Sequence, residues 1–151
     1  MNSQSLARRL CALAILVALI LATAALANEN VENRHVKRRI DAMSDARAAM
    51  ETLGAMMSGT AAFDSARAWR ARKVLVRFGD DIPRLFRRNR TDVLSRARPE
   101  IWPRWSTFKA RAEAAEDAAR ALKVRNRDTL GRTLPALIDA CLACHREFRK
   151  P

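Results

Sequence analysis

The chain has no tyrosine, only four glycines and five prolines, and 5% aromatic residues in 151 positions. So little glycine and proline leaves few tight turns, and β-branched residues almost never alternate with polar ones, so little speaks for a sheet. Acidic residues are scarce as well, 16 against 29 lysines and arginines. Catalytic patterns are missing: no paired carboxylates at enzymatic spacing, no Ser-His-Asp arrangement and no glycine-rich phosphate loop, so no enzyme is expected. What remains is alanine, arginine and leucine in quantity. These are strong helix formers, and the profile points to an all-α fold.

The one long apolar run lies at the start. Arg8 and Arg9 precede the stretch from Leu10 to Leu21, and the small-residue site Ala25-Leu26-Ala27 follows. That is the architecture of a secretory signal peptide, expected to be cleaved after Ala27 and to deliver the protein to the periplasm. A membrane anchor is the other reading, for which the run is short. Cys11 leaves with the signal. Residues 28–151 are then one small domain with a single core.

Near the end stands Cys141-Leu142-Ala143-Cys144-His145. A spacing of three sets both sulfurs on one side of a helical turn, where two thiols can add across the two vinyl groups of a porphyrin. The histidine that follows can reach the iron as an axial ligand. The string is therefore an attachment site for one covalent c-type haem. A structural zinc site would need a fourth ligand, for which only His35 is on offer. A thioredoxin-type pair would need a βαβ setting, and the surroundings read as helix. His35 itself is expected at the surface, near the start of the first helix.

Four helices can be placed. The first spans about 33–58 and ends at Gly59, with Ile40, Met43, Arg47, Met50, Leu53 or Gly54, and Met57 on one stripe. The second begins near Phe63, with Asp64 in its first turn, and fades at Gly79-Asp80-Asp81. A long link from Asp80 to Glu100 follows, and loops of that length usually cover or recognise something. The third carries the cleanest seam, Ile101, Trp105, Phe108, Ala112, Ala115, Ala119 and Leu122. The fourth repeats the steps at Leu130, Leu134, Leu137, Cys141, Cys144 and Phe148, with Pro135 predicting a kink or a late start.

Four helices with a haem motif on the last resemble the class II cytochromes c, the cytochrome c-prime family. The matching pieces are Cys141 to His145 with Arg146-Glu147-Phe148-Arg149 behind it, Ala97-Arg98-Pro99-Glu100-Ile101-Trp102, and Phe108-Lys109. The resemblance spans residues 33–150 and implies an antiparallel four-helix bundle with His145 as the proximal iron ligand. It sets Arg149 at the family's basic position near the proximal face. Matched back from Gly59, Met43 falls on the distal position of the first helix. The family has two states there. In one the distal position is empty and shielded by an apolar residue, and the iron binds nitric oxide or carbon monoxide; in the low-spin branch a methionine binds. A soft thioether suits haem iron, and His/Met ligation is usual in electron-carrying cytochromes c. Met50 lies two turns from Met43, about 10 Å along the axis, so only one of them can reach the metal. The leading expectation is a periplasmic electron carrier held by His145 and Met43, of the low-spin branch. The alternative is a five-coordinate protein that binds nitric oxide or carbon monoxide.

Once Arg8 and Arg9 leave with the signal, the formal charge falls from +13 to +11. The excess gathers in Arg67, Arg70, Arg72, Lys73 and Arg77 and in Arg84, Arg87, Arg88, Arg90, Arg96 and Arg98. It suits steering toward an acidic redox partner protein or an anionic membrane surface. Nucleic acid is not expected, since the chain is exported and lacks interleaved aromatics. The resemblance also implies a homodimer through the first two helices, against which the arginines of the second helix weigh.

Overall fold

The computed structural model describes Val31 and residues 33–151; the signal peptide expected at 1–27 lies outside the described residues. Four helices follow one another: α1 (Arg34–Ser58), α2 (Ser65–Phe86), α3 (Trp105–Ala121) and α4 (Arg127–Phe148), with a short 3-10 turn at Pro99–Ile101 before α3. Among the described residues there is no strand, only an isolated antiparallel bridge between Ala97 and Arg149. None of the described helices is long and apolar enough to cross a membrane.

The helix ends follow local chemistry. Asn33 caps α1 by accepting the His35 N–H at 3.0 Å, and Asp64 caps α2 by accepting the Arg67 N–H at 3.0 Å. Asn126 and Thr129 form a reciprocal capping box on α4. α1 stops at Gly59, whose φ of 86° is open to glycine at little cost, and the Gly59 N–H closes on the Ala55 carbonyl.

The core divides into two clusters along the bundle. One is aliphatic: Ala46, Ala49, Leu53 and Met56 of α1, Ala68, Ala71 and Leu75 of α2, Ala119 and Leu122 at the end of α3, and Leu130, Leu134 and Leu137 of α4. The other is aromatic: Ile82 and Phe86 from the end of α2, Ile101, Phe108 and Ala112 from the start of α3, and Phe148 from the end of α4. Successive helices contribute opposite ends to each cluster, as an antiparallel up-down-up-down bundle requires. α2 packs broadly against α1 and α3, whereas α4 closes back onto α1 over the smallest shared surface.

Three expectations change. The buried stripe of α1 is Val36, Arg39, Ala46, Ala49, Leu53 and Met56; Arg47 is exposed, and Ile40, Met43, Met50 and Met57 are half-buried beside it. Alanines 46 and 49 let the neighbouring helices come close, so the small residues face inward where the methionines were expected. α2 does not fade at Gly79 but runs on through Pro83 to Phe86, because Ile82 and Phe86 continue its buried face into the aromatic cluster. Gly79 marks a contact instead: a β-carbon there would meet the Glu116 backbone at 2.7 Å, so glycine lets α2 and α3 touch. The link shrinks to residues 87–98. Pro135 neither delays α4 nor interrupts it, since the helix starts at Arg127 and passes through position 135.

Candidate haem site

The thiols of Cys141 and Cys144 lie one turn apart on α4, both half-buried, and they straddle the boundary between the two clusters. Cys141 packs on the aliphatic side and Cys144 on the aromatic side. They form no disulfide. Burial raises both thiol pKa values; Cys144 is pushed up to about 11 by burial, with the neighbouring Cys141 and Glu147 charges adding to it. Burial also lowers the pKa of His145, helped by the positive charge of Arg149, which favours the neutral imidazole, the form able to donate a lone pair to a metal. Among the described residues no three His, Cys, Asp or Glu side chains gather into a cluster that could hold a metal ion.

Across the core, Met43 of α1 packs on the same aromatic cluster as Cys144. Met50, Met56 and Met57 belong to the aliphatic cluster. Four aromatic rings gather around the site, with Phe108 at their centre. Phe108 lies 5.1 Å from Phe86, 5.5 Å from Trp105 in a stacked pair and 5.3 Å from Phe148 edge to face. The end of α4 is held from two sides. Glu147 accepts from Arg104 at 2.7 Å and from Arg111 at 2.7 Å, which ties α4 to α3 and holds the Glu147 carboxyl below its usual pKa range. Arg104 also lies over the Phe148 ring at 5.2 Å. The Arg98 N–H donates to the Phe148 carbonyl at 2.9 Å and the Lys150 N–H to the Arg96 carbonyl at 2.7 Å, a short pairing of the link with the chain end. The Arg149 side chain is exposed, and its backbone N–H donates to the His145 carbonyl.

Sequence reasoning assigned no role to Arg39, which is 3% exposed one turn before Met43. Its guanidinium donates to the Leu85 carbonyl at 3.0 Å, to the Arg90 carbonyl at 2.8 Å and to the Arg88 carbonyl. It also lies over the rings of Phe86 at 4.7 Å and Trp102 at 5.6 Å. No carboxylate pairs with it among the described residues. Carbonyls and ring faces carry the compensation that a buried charge needs, and burial lowers its pKa without discharging it. The Trp102 indole N–H donates to the Phe86 carbonyl at 3.0 Å, so α2 ends under two side-chain donors. An arginine three residues after Val36 and four before Met43, inside an apolar stripe, was the available signal.

The residues present fit a covalently held haem. Two thiols on one helix side, an imidazole next to them and an apolar surround are what such a group needs from the protein, and Met43 packs on the same aromatic cluster as Cys144.

Fold and donor set together define a haem-binding helical bundle. The family model for cytochrome c′ matches residues 34–149, and the chain belongs to that family. Among solved structures it is similar to oxidised cytochrome c556 of R. palustris, with a TM-score of 0.71 and 26% identity over 78% of this chain and 97% of that one. Cytochrome c′ from Rhodopseudomonas palustris matches with a TM-score of 0.73 and 22% identity over 80% of this chain and 98% of that one. A nitric oxide complex of a variant cytochrome c prime from Alcaligenes xylosoxidans matches with a TM-score of 0.69 and 25% identity, covering 78% and 94%. No curated protein matches the chain.

Proposed function

We propose that the chain is an exported cytochrome whose single haem, linked through Cys141 and Cys144 and held by His145, takes up a neutral diatomic gas, nitric oxide or carbon monoxide. The five-coordinate expectation thus moves ahead of the electron carrier. Haem iron supplies the position at which the gas binds. The observation that carries the reading is the convergence of Met43 and Cys144 on the Phe86, Phe108 and Phe148 cluster. A hydrocarbon wall favours a small uncharged ligand over water or an anion, because a charge brought into it loses its hydration. Met43 covers the far side as a flexible thioether, able to shift as a ligand enters. Similarity to the nitric oxide complex from Alcaligenes xylosoxidans supports the same choice. Pairing of two copies would use the groove of about 510 Å³ between α1 and α2, which Ala48, Ala71, Arg70 and Val74 help to line.

A second reading is favoured by one specific observation. Of the methionines on α1, only Met43 packs on the aromatic cluster that Cys144 also joins, which suits the low-spin branch in which His145 and Met43 would both hold the iron of an electron carrier. Absorption spectroscopy separates the two. The gas-binding reading expects a high-spin ferric spectrum, unchanged in spin state by Met43→Ala, and a prompt shift when the ferrous protein meets carbon monoxide. A low-spin ferric spectrum with a sulfur-to-iron charge-transfer band that Met43→Ala removes would establish the carrier instead. Loss of the haem on acid-acetone extraction would sink both.

A further inference from the structure

The cationic excess is not spread evenly. At the end of the bundle that holds the haem motif, the first turns of α1 and the link after α2 come together, although they are far apart in sequence. The link is fixed there: Arg39 holds the Leu85, Arg88 and Arg90 carbonyls, and the Asn33 N–H donates to Asp92 at 3.0 Å. With the backbone turned inward, the side chains of Arg88 and Arg90 are exposed, as are those of Arg34, Arg38 and Arg87. Burial, and after it the charges of Arg34, Arg88, Arg38 and Arg90, lower the His35 pKa, in keeping with a link that Arg39 and Asn33 fix against the first turns of α1.

Among the described residues no carboxylate pairs with these five arginines, whereas Arg47, Arg84, Arg104, Arg111, Arg120 and Arg132 all form ion pairs. Of the nearby acids, Asp41 is taken by Lys37, and Asp92 accepts the backbone N–H groups of Asn33 and Leu94. The first turn of α1 holds no acidic residue, so its cations sit at the positive end of the helix dipole. This arrangement is unfavourable within the chain and becomes favourable against an anionic surface.

We propose that Arg34, Arg38, Arg87, Arg88 and Arg90 form a docking face for the carboxylate-rich surface of a one-electron carrier protein. A protein surface is favoured over a bilayer because the cations stand on a backbone fixed by side-chain bonds, a set pattern that planar guanidiniums can match to carboxylates pairwise. The only fully exposed apolar side chain in the link is Val93, and among the described residues no exposed apolar helix face lies at this end to enter lipid. The position serves redox chemistry: one electron passes from the reduced carrier to the ferric cytochrome, oxidising the first and reducing the second, with no bond made or broken. That service rests on the haem reading above; the docking face itself does not.

The test uses the haem-loaded protein and a labelled poly-glutamate peptide, followed by fluorescence anisotropy at low salt. Binding is expected, with loss at 1 M salt, where the screening length is about 3 Å. R38E/R88E/R90E should weaken it by about ten-fold or more, and R67E/R70E/R77E, the same charge change along α2 before the link, by no more than about two-fold. The His35 ring resonances should move on binding. R38Q/R88Q/R90Q, which introduces no new acid, should fall between the native protein and the first variant. Equal weakening by both reversal variants would reduce the effect to net charge and overturn the proposal. Tighter binding to phosphatidylglycerol vesicles than to the peptide would overturn it in favour of a membrane. Because anisotropy reads docking and absorption reads the haem, failure of one reading is not mistaken for failure of the other.

Discussion

The two ends of the bundle are built from different materials. Away from the haem motif, leucines and alanines on four helices mesh in the regular steps of a helical seam, and helix caps finish the job. At the haem end the seam gives way to aromatic rings, and polar side chains reach over to hold backbone: Arg39 on three carbonyls, Trp102 on a fourth, Glu147 between two arginines. Regular packing suffices where helices only need to stay together. An end that must leave room for a flat prosthetic group has fewer helix–helix contacts available, and directional bonds take over their role.

Core truncations should expose this contrast most strongly. Phe108→Ala is expected to cost about 4 kcal/mol in urea unfolding of the haem-loaded protein and to perturb the visible spectrum. Leu134→Ala should cost about 3 kcal/mol and leave the spectrum as it was. If both moved the spectrum alike, the division between the ends would not hold. Arg39→Met is next: three carbonyls lose their donor, at about 3 kcal/mol, and Arg39→Lys should restore only part, since an ammonium lacks the planar fork. Arg47→Ala, on the same helix but exposed and loosely paired, should stay within about 0.5 kcal/mol.

A smaller pair concerns glycine. Gly79→Ala forces a β-carbon into the Glu116 backbone and should lose about 2 kcal/mol, while Gly54→Ala meets nothing within 4 Å and should gain about 0.5–1 kcal/mol of helix stability. Thermal unfolding of the two variants would measure the difference. The smallest effect belongs to Asp64 at the aliphatic end. The Arg67 N–H holds its pKa below the usual aspartate value. Its contribution is therefore full above the ordinary aspartate range and disappears as pH falls through the lowered folded value. Asp64→Asn caps without a charge, so the stability-against-pH curve of that variant should be flatter on the acid side.

The ease of reading the chain follows the same division. Leu130, Leu134 and Leu137, the alanines of α3 and the stop at Gly59 are local patterns, and the seams they predict are the buried faces observed. The haem motif is local too, since its chemistry depends on spacing along one helix. What escaped was the haem end. The fade expected at Gly79-Asp80-Asp81 is overridden by tertiary packing, because buried Ile82 and Phe86 carry α2 on past Pro83 into the aromatic cluster; at the aliphatic end, buried Leu134 and Leu137 likewise carry α4 past Pro135, where a kink or late start was expected. Arg39 could not be placed from composition, because its partners are main-chain carbonyls 46 to 51 residues away, and main-chain atoms leave no mark in a sequence. Met43 packs on the aromatic cluster while the stripe predicted around it is displaced, since the alanines at 46 and 49 decide how α1 is turned.

The last residues are not a free tail. With Lys150 bonded to Arg96 and Phe148 to Arg98, the polypeptide is laced shut immediately beyond His145, so anything appended after Pro151 begins alongside the imidazole-bearing turn. A purification handle or fluorescent reporter fused there would crowd the turn that carries His145 and the docking face proposed above. Labels for kinetic work belong at the opposite pole, on the connection between α1 and α2 around Thr60 and Ala62, where the side chains are open to solvent and far from the paired segment.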